Sequence, residues 1–176
     1  MDANFVQAIK DTVRDALADV HTALPGTIKT FDAGTGLASV APAGKFKAAD
    51  GRALDYPVIT GVPVVFQYSP TAGAGILFPV KAGDNCLLVI AEQALDSWLY
   101  GGESALDLKH DLTNAVAIPG LYQKSPAKIA NACSDDAVVV YAGETSVVVS
   151  KGGVAIKGNV TITGNLTTSG GTVRLN

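Results

Sequence analysis

His110 and Asp111 stand side by side, a base next to a carboxylate, the combination that activates a nucleophile in acyl transfer. Adjacent residues rarely orient one another in that way, however, and no serine sits in a Gly-x-Ser-x-Gly elbow. Asp111 three residues ahead of Asn114 reads instead as the cap of a short turn. Asp96, Glu103 and Asp107 include enough carboxylates for glycoside hydrolysis, but they lie in segments with no sign of a substrate groove and read as solvated surface. Asp84 after Gly83 is a turn residue, and no phosphate-binding Gly-x-Gly-x-x-Gly occurs. Asp32-Ala33-Gly34-Thr35-Gly36 resembles part of a calcium loop but lacks the remaining ligands and the terminal glutamate. Cys86, inside the apolar run Cys86–Ala91, reads as a small buried hydrophobe, and Cys133 as a loop thiol. Trp98 and Tyr100 read as core or subunit-interface anchors rather than a sugar platform. The expectation is a chain with no catalytic, cofactor-binding or metal-binding residue.

What remains is architecture. A chain of 176 residues has room for one ordinary domain and an appendage. Its apolar content of 48% suffices for a core, while charged residues, at 16%, are scarce. A gly-rich chain of low charge often hides apolar surface in an oligomer. The net charge of −3 is uneven: residues 1–136 carry 15 acids and 10 bases, whereas residues 137–176 carry Glu144 against Lys151, Lys157 and Arg174. Neither part has the basic surface of a nucleic-acid binder. The N-terminal residues show neither a basic n-region nor an apolar h-region, and two apparently unpaired cysteines fit synthesis in a reducing cytoplasm. No stretch approaches 18 consecutive apolar residues.

Apolar residues at three- and four-residue intervals (Phe5, Ile9, Val13, Ala16, Leu17, Val20, Leu24) predict a helix over 4–24, stopped by Pro25-Gly26. Its polar face carries Asp11, Arg14, Asp15 and Asp19, an acidic character that argues against a peripheral membrane helix. Residues 26–91 then read as short strands, 26–32, 37–41, 54–59, 62–67, 76–79 and 86–91, separated by turn signals, with Asp50-Gly51 as a hairpin turn. Such strands fit a small OB-type barrel over 26–122, with a sandwich as the competing arrangement. Residues 92–122 read as a helical or irregular excursion, and 123–136 as a connector.

The tail, 137–176, repeats. Apolar pairs two residues apart recur at Val138/Val140, Val147/Val149, Val154/Ile156 and Val160/Ile162, then Leu166 with Thr168. The step settles at six residues, a register in which β-helices repeat, and Gly153, Gly158, Gly164, Gly170 and Gly171 fall at the bends. Strands this short bury no core within one chain, but three chains around one axis bury an inward pair in every layer. Val138, Val140, Val147, Val149, Val154, Ile156, Val160, Ile162, Leu166, Val173 and Leu175 are the expected axial core of an intertwined trimeric β-helix, or β-prism. The fold class is therefore mainly β: an N-terminal helix (1–25), an OB-like barrel, and a β-helical tail.

From Pro63 to Tyr122 the chain also resembles a known family. The features are the strand Val62–Phe66, the loop Gly75–Pro79, Gly83-Asp84 opening Leu87–Ala91, the run Leu95–Leu99, and His110–Ala115 before Pro119-Gly120. In this order, and followed by a prism-like tail, they are similar to the N-terminal domain of central baseplate spike proteins of contractile-tail phages and R-type bacteriocins. The resemblance implies a homotrimeric spike that caps the tail tube, docks on the tube or hub protein, and mechanically pierces the bacterial outer membrane on contraction. Synthesis in the bacterial cytoplasm and assembly into a virion or bacteriocin baseplate follow. Many members end in a His-x-His pair through which three chains bind an apical iron; this sequence ends Thr172–Asn176 and has only His21 and His110, so no tip metal is expected. Either Val173 and Leu175 close the tip or the sequence is a shortened form of a longer spike. The alternatives are a glycan-degrading tailspike-like enzyme on a trimeric β-helix and an OB-fold nucleic-acid-binding module; strands 62–91 carry only Lys81, which disfavours the latter.

Overall fold

The computed structural model describes residues 3–18, 20–48, 50–103 and 108–171. It forms two compact units, Met1–Gln123 and Lys124–Asn176.

In the first unit, helix α1 spans Ala3–Ala18 and is followed by β1 (Ala23–Asp32), β2 (Leu37–Pro42), β3 (Lys45–Lys47), β4 (Ala53–Asp55), β5 (Ile59–Pro63), β6 (Gln67–Ser69), β7 (Ala74–Ile76), β8 (Asn85–Ile90), the short helix α2 (Asp96–Tyr100) and β9 (Ala115–Pro119). Five of the strands form one curled sheet, a half-barrel, in the order β5-β2-β1-β8-β9. Its neighbours are antiparallel. Its two edges approach each other at a parallel bridge, Val64 to Ala117, where the Val65 amide donates to the Ala117 carbonyl at 2.8 Å. Alternate residues of β2 and β8 point into the curl, which is why both strands are buried at every second position. The core holds Ile28, Val40, Val62, Cys86, Leu88 and Ile90 with Ala115 and Ala117. A chain of ring contacts, Phe31 to Phe66 to Phe78, flanks it.

The helix is shorter than its apolar spacing predicts. It ends at Ala18, the His21 amide donates to the His110 carbonyl, and the chain enters β1 at Ala23, ahead of Pro25-Gly26. Strand pairing outweighs local periodicity here. Gly26 is not a helix stop but a packing position: a Cβ there would lie 2.7 Å from Val40 Cγ1. The strands predicted over 54–59 and 62–67 are each divided. Pro57 and Pro63 lack the amide that a continuous ladder needs, so residues 56–58 carry no strand and β5 stops at Pro63. The Asp50-Gly51 hairpin joins β3 to β4 as the turn signal predicts. Residues 108–120, expected to be irregular, supply the edge strand β9. Its inward residues are alanines, Ala115 and Ala117, paired beside Ile90 and Leu88.

In the second unit, α3 (Ala127–Ser134) occupies most of the predicted connector. Three strands follow, β10 (Val138–Ala142), β11 (Thr145–Ser150) and β12 (Gly153–Lys157), as an antiparallel meander. The sequence pattern reads as β-helix from residue 137; the structure instead places hairpins over 138–157. The reason lies in the turns. Gly143-Glu144 is a two-residue loop with Gly143 at φ 58°, which folds the chain straight back. Residues 158–171 form no strand within the single chain.

Candidate functional site

Asp111, Asp32 and Asp84, which invite a catalytic or metal-binding reading, are held in turns. Asp111 accepts hydrogen bonds from the Thr113 hydroxyl and from its amide at 2.8 Å. These bonds, with the nearby His21, hold its carboxyl below the usual carboxylate range. His110 gains no orientation from it: among the described residues its buried Nδ1 has no hydrogen-bond partner, and the backbone sits at φ 53°. Asp32 accepts from the Gly34 amide and the Thr35 hydroxyl, which lower its carboxyl, so the calcium-like run is the turn between β1 and β2. Asp84 accepts from the Lys81 amide and closes another turn. Asp96 lies in the first turn of α2 and Glu103 is exposed beyond its end, while Asp107 lies outside the described residues. Among the described residues no group of three or more His, Cys, Asp or Glu is placed to hold a metal ion. Cys86 is buried, and burial pushes its thiol up to about 11; Cys133 is exposed.

Asn114 is the polar residue that sequence reasoning undervalues. It is 5% exposed, and its side chain accepts from the Leu95 amide and donates to the Gln93 and Leu108 carbonyls. Its backbone carbonyl accepts from Ala91. One amide thus gathers both ends of the 92–114 excursion onto the edge of the half-barrel. The sequence signal was only its place three residues after Asp111.

The distinctive surface of the second unit is apolar. Register pairs Val138 with Val149 and Val149 with Val154, and Val140 with Val147 and Val147 with Ile156. Two rows of three side chains therefore share one face of the meander. These six residues are 36–67% exposed, and no other described part of this unit covers them. The opposite face carries Tyr141, with the Lys128 ammonium 4.4 Å from its ring centroid. Val160, Ile162 and Leu166 continue as exposed apolar positions beyond β12. Val173 and Leu175, expected in the same core, lie outside the described residues.

The first unit also carries exposed apolar surface. Phe5, Ile9, Val13 and Leu17 make an exposed stripe along α1. Val65, Tyr68, Leu77 and Trp98 line an open groove of about 370 Å³ beside the β6–β7 hairpin. Trp98 is 76% exposed, so it is not a core anchor as the sequence allows.

Comparison with curated proteins returns no match. Residues 24–120, more than half of the chain, match the family described as the phage protein Gp138 N-terminal domain. The match begins at the start of β1 and ends just past β9, so it coincides with the curled sheet and the excursion that Asn114 secures. This chain belongs to the phage protein Gp138 N-terminal domain family.

Proposed function

We propose that three copies of this phage protein assemble into the central spike of a contractile-tail baseplate, which meets and pierces the bacterial outer envelope. The observation that carries this reading is the six-residue valine and isoleucine face of β10–β12, free of aromatic rings and uncovered among the described residues. Isolated soluble chains rarely leave such a contiguous patch open. Slim β-branched side chains, three per layer, fill a narrow threefold axis that aromatic rings would obstruct. The six-residue step of Gly158, Gly164 and Gly170 extends the same inward pattern toward the C-terminus, as an intertwined β-helix requires.

In that assembly the curled sheet of the first unit acts as an OB-like barrel. Its strand order and the parallel Val64–Ala117 bridge between its edges fit such a closure. The barrel then serves as the socket that matches the spike to the tail tube or hub. No covalent chemistry is needed. Every strand edge of a closed trimer is paired except at its ends, and unfolding must disentangle three chains, which makes the rod kinetically stable and stiff under axial load.

Light scattering, with and without SDS at room temperature, tests the reading. A species of three chain masses that resists SDS is expected, and a monomer at micromolar concentration overturns it.

A further inference from the structure

We infer that Asp50-Gly51, in the turn between β3 and β4, is a covalent modification site: the Gly51 nitrogen closes on the Asp50 carboxyl to a succinimide that reopens as isoaspartate, and Arg52 restrains the reaction. This does not depend on the assembly proposed above. Asp50-Gly51 is the one Asp-Gly step in the sequence, and Asn-Gly does not occur. Gly51 has no Cβ to shield its nitrogen, and among the described residues nothing lies within 4 Å of where a Cβ would stand. The chemistry needs only water. The bond from the Gly51 nitrogen to Asp50 Cγ forms, and a Cγ–O bond of the protonated carboxyl breaks. That oxygen leaves as water, carrying the carboxyl proton and the amide proton. Water then opens either imide carbonyl. Attack at Cγ restores aspartate, whereas attack at the main-chain carbonyl carbon leaves the backbone running through Cβ and Cγ, one methylene longer.

The folded turn holds both reacting groups in unreactive states. The Arg52 amide donates to Asp50 Oδ1 at 3.0 Å, and Arg52 Nε donates to Oδ2 at 2.6 Å, so both carboxylate oxygens are occupied. These bonds, the amide's first, keep the carboxyl below the usual carboxylate range. At neutral pH it is therefore an anion, without the proton that its departing oxygen must carry away. The Gly51 amide is itself engaged, donating to the Ala48 carbonyl at 2.8 Å, while the Ala48 amide donates to the Arg52 carbonyl at 2.8 Å. Closing the ring requires the Arg52 fork to open and the Gly51 bond to break. The product alters more than one residue, because turn geometry fixes hairpin register. This turn sets the pairs Lys45–Asp55, Phe46–Leu54 and Lys47–Ala53. An added methylene displaces them and loosens the contact between the Phe46 and Tyr56 rings, whose centroids are 5.4 Å apart.

The test incubates the full chain at neutral pH and follows isoaspartate in the peptide spanning Asp50, by methyltransferase labelling and fragmentation mass spectrometry. The parent, Arg52→Ala and Arg52→Lys are compared folded and in urea, with circular dichroism to show that each variant folds. Folded Arg52→Ala is expected to form isoaspartate about tenfold faster than the folded parent, the worth of one charge-assisted hydrogen bond. Arg52→Lys keeps the charge without the fork and is expected to fall between them. In urea all three are expected to react at one common, faster rate. A folded Arg52→Ala chain that reacts no faster than the folded parent overturns Arg52 as the restraint. A folded parent that reacts as fast as the unfolded one overturns the protection by the turn, and absence of isoaspartate at Asp50 even in urea overturns the site.

Discussion

Val147 is the position at which the proposed trimer is most sharply tested. It lies at the centre of the meander, paired with Val140 on one side and Ile156 on the other. In the single chain it is 36% exposed, so an aspartate there reaches water and disturbs the isolated sheet by about 1 kcal/mol or less. In the trimer the same side chain is enclosed three times over. Each copy forfeits roughly 0.5 kcal/mol of valine burial, since only about a third of the side chain is left to bury on assembly. Each carboxylate must also lose its hydration, or take up a proton. At pH 7 protonation of an acid with an ordinary value near 3.9 costs about 4 kcal/mol, which caps the electrostatic penalty per copy. The three copies together lose up to about 14 kcal/mol, enough to dissolve the assembly at any practical concentration.

The same arithmetic fixes the pH dependence. Burial raises the aspartate's value in the trimer above that of the free chain, so the protonated form is favoured on assembly and the trimer regains stability as pH falls toward 4. Light scattering of Val147→Asp is expected to show monomer at pH 7 and partial recovery of trimer near pH 4. Ala155→Asp, on the opposite face of the neighbouring strand, is expected to remain trimeric throughout. A Val147→Asp chain that runs as an SDS-resistant trimer at pH 7, or an Ala155→Asp chain that alone falls apart, refutes the assignment of the inward face.

Further outcomes concern the first unit. Asn114→Ala strips partners from the Leu95 amide and the Gln93 and Leu108 carbonyls, and is expected to cost about 2–4 kcal/mol in denaturant unfolding, with the 92–114 segment losing hydrogen-exchange protection first. Ellman's reagent is expected to titrate Cys133 at once and Cys86 only on unfolding, since burial both shields that thiol and raises it to about 11; two fast thiols would contradict the buried position. Thr113→Val removes the hydroxyl bond to Asp111 and is expected to raise that carboxyl toward its ordinary value by NMR titration. Because its folded value is depressed, the stability it confers is present above the unfolded value and fades as pH falls through the folded one; the exposed site keeps that contribution small.

The sequence carried the parts of this fold that depend on turns and alternation. Asp50-Gly51 marked a hairpin, and Leu37–Ala41 and Cys86–Ala91 marked the strands that hold most of the core, because large apolar residues alternate there. It failed where the decisive residue was small or the partner distant. Ala115 and Ala117 line the core yet carry no strong strand signal, since their burial depends on how closely β9 lies against β8. The helix extends in pattern to Leu24 but yields to strand pairing, a tertiary effect that periodicity cannot register. The apolar face of the tail was legible as pairs two residues apart; that the first three pairs sit on a meander depended on the φ that Gly143 adopts. Asn114 was visible as a residue and invisible as a clamp, because its partners lie as far as 21 positions away.

The meander also answers a difficulty that the repeat itself creates. In the proposed rod, with bends at Gly158, Gly164 and Gly170, each layer of the tail resembles the next. Three chains wound on such a pattern can slip by one whole layer at little local cost, because slippage is weakly opposed wherever the side-chain pattern repeats. Something outside the repeat must set the register. In the proposed trimer we assign this to the pairings of β10, β11 and β12, since Val140 opposite Val147 and Val147 opposite Ile156 occur once in the chain and tight turns fix them. A graded consequence follows. Deleting 159–164 removes one full step and is expected to leave an SDS-resistant trimer with one layer fewer. Deleting 159–161 shifts every later residue by half a step, turns Ile162 and Leu166 out of phase with the layers below, and is expected to abolish SDS resistance while the meander still holds the chains together in mild buffer. If both deletions behave alike, the six-residue step is not the unit of packing, and the tail beyond Lys157 is not an intertwined rod.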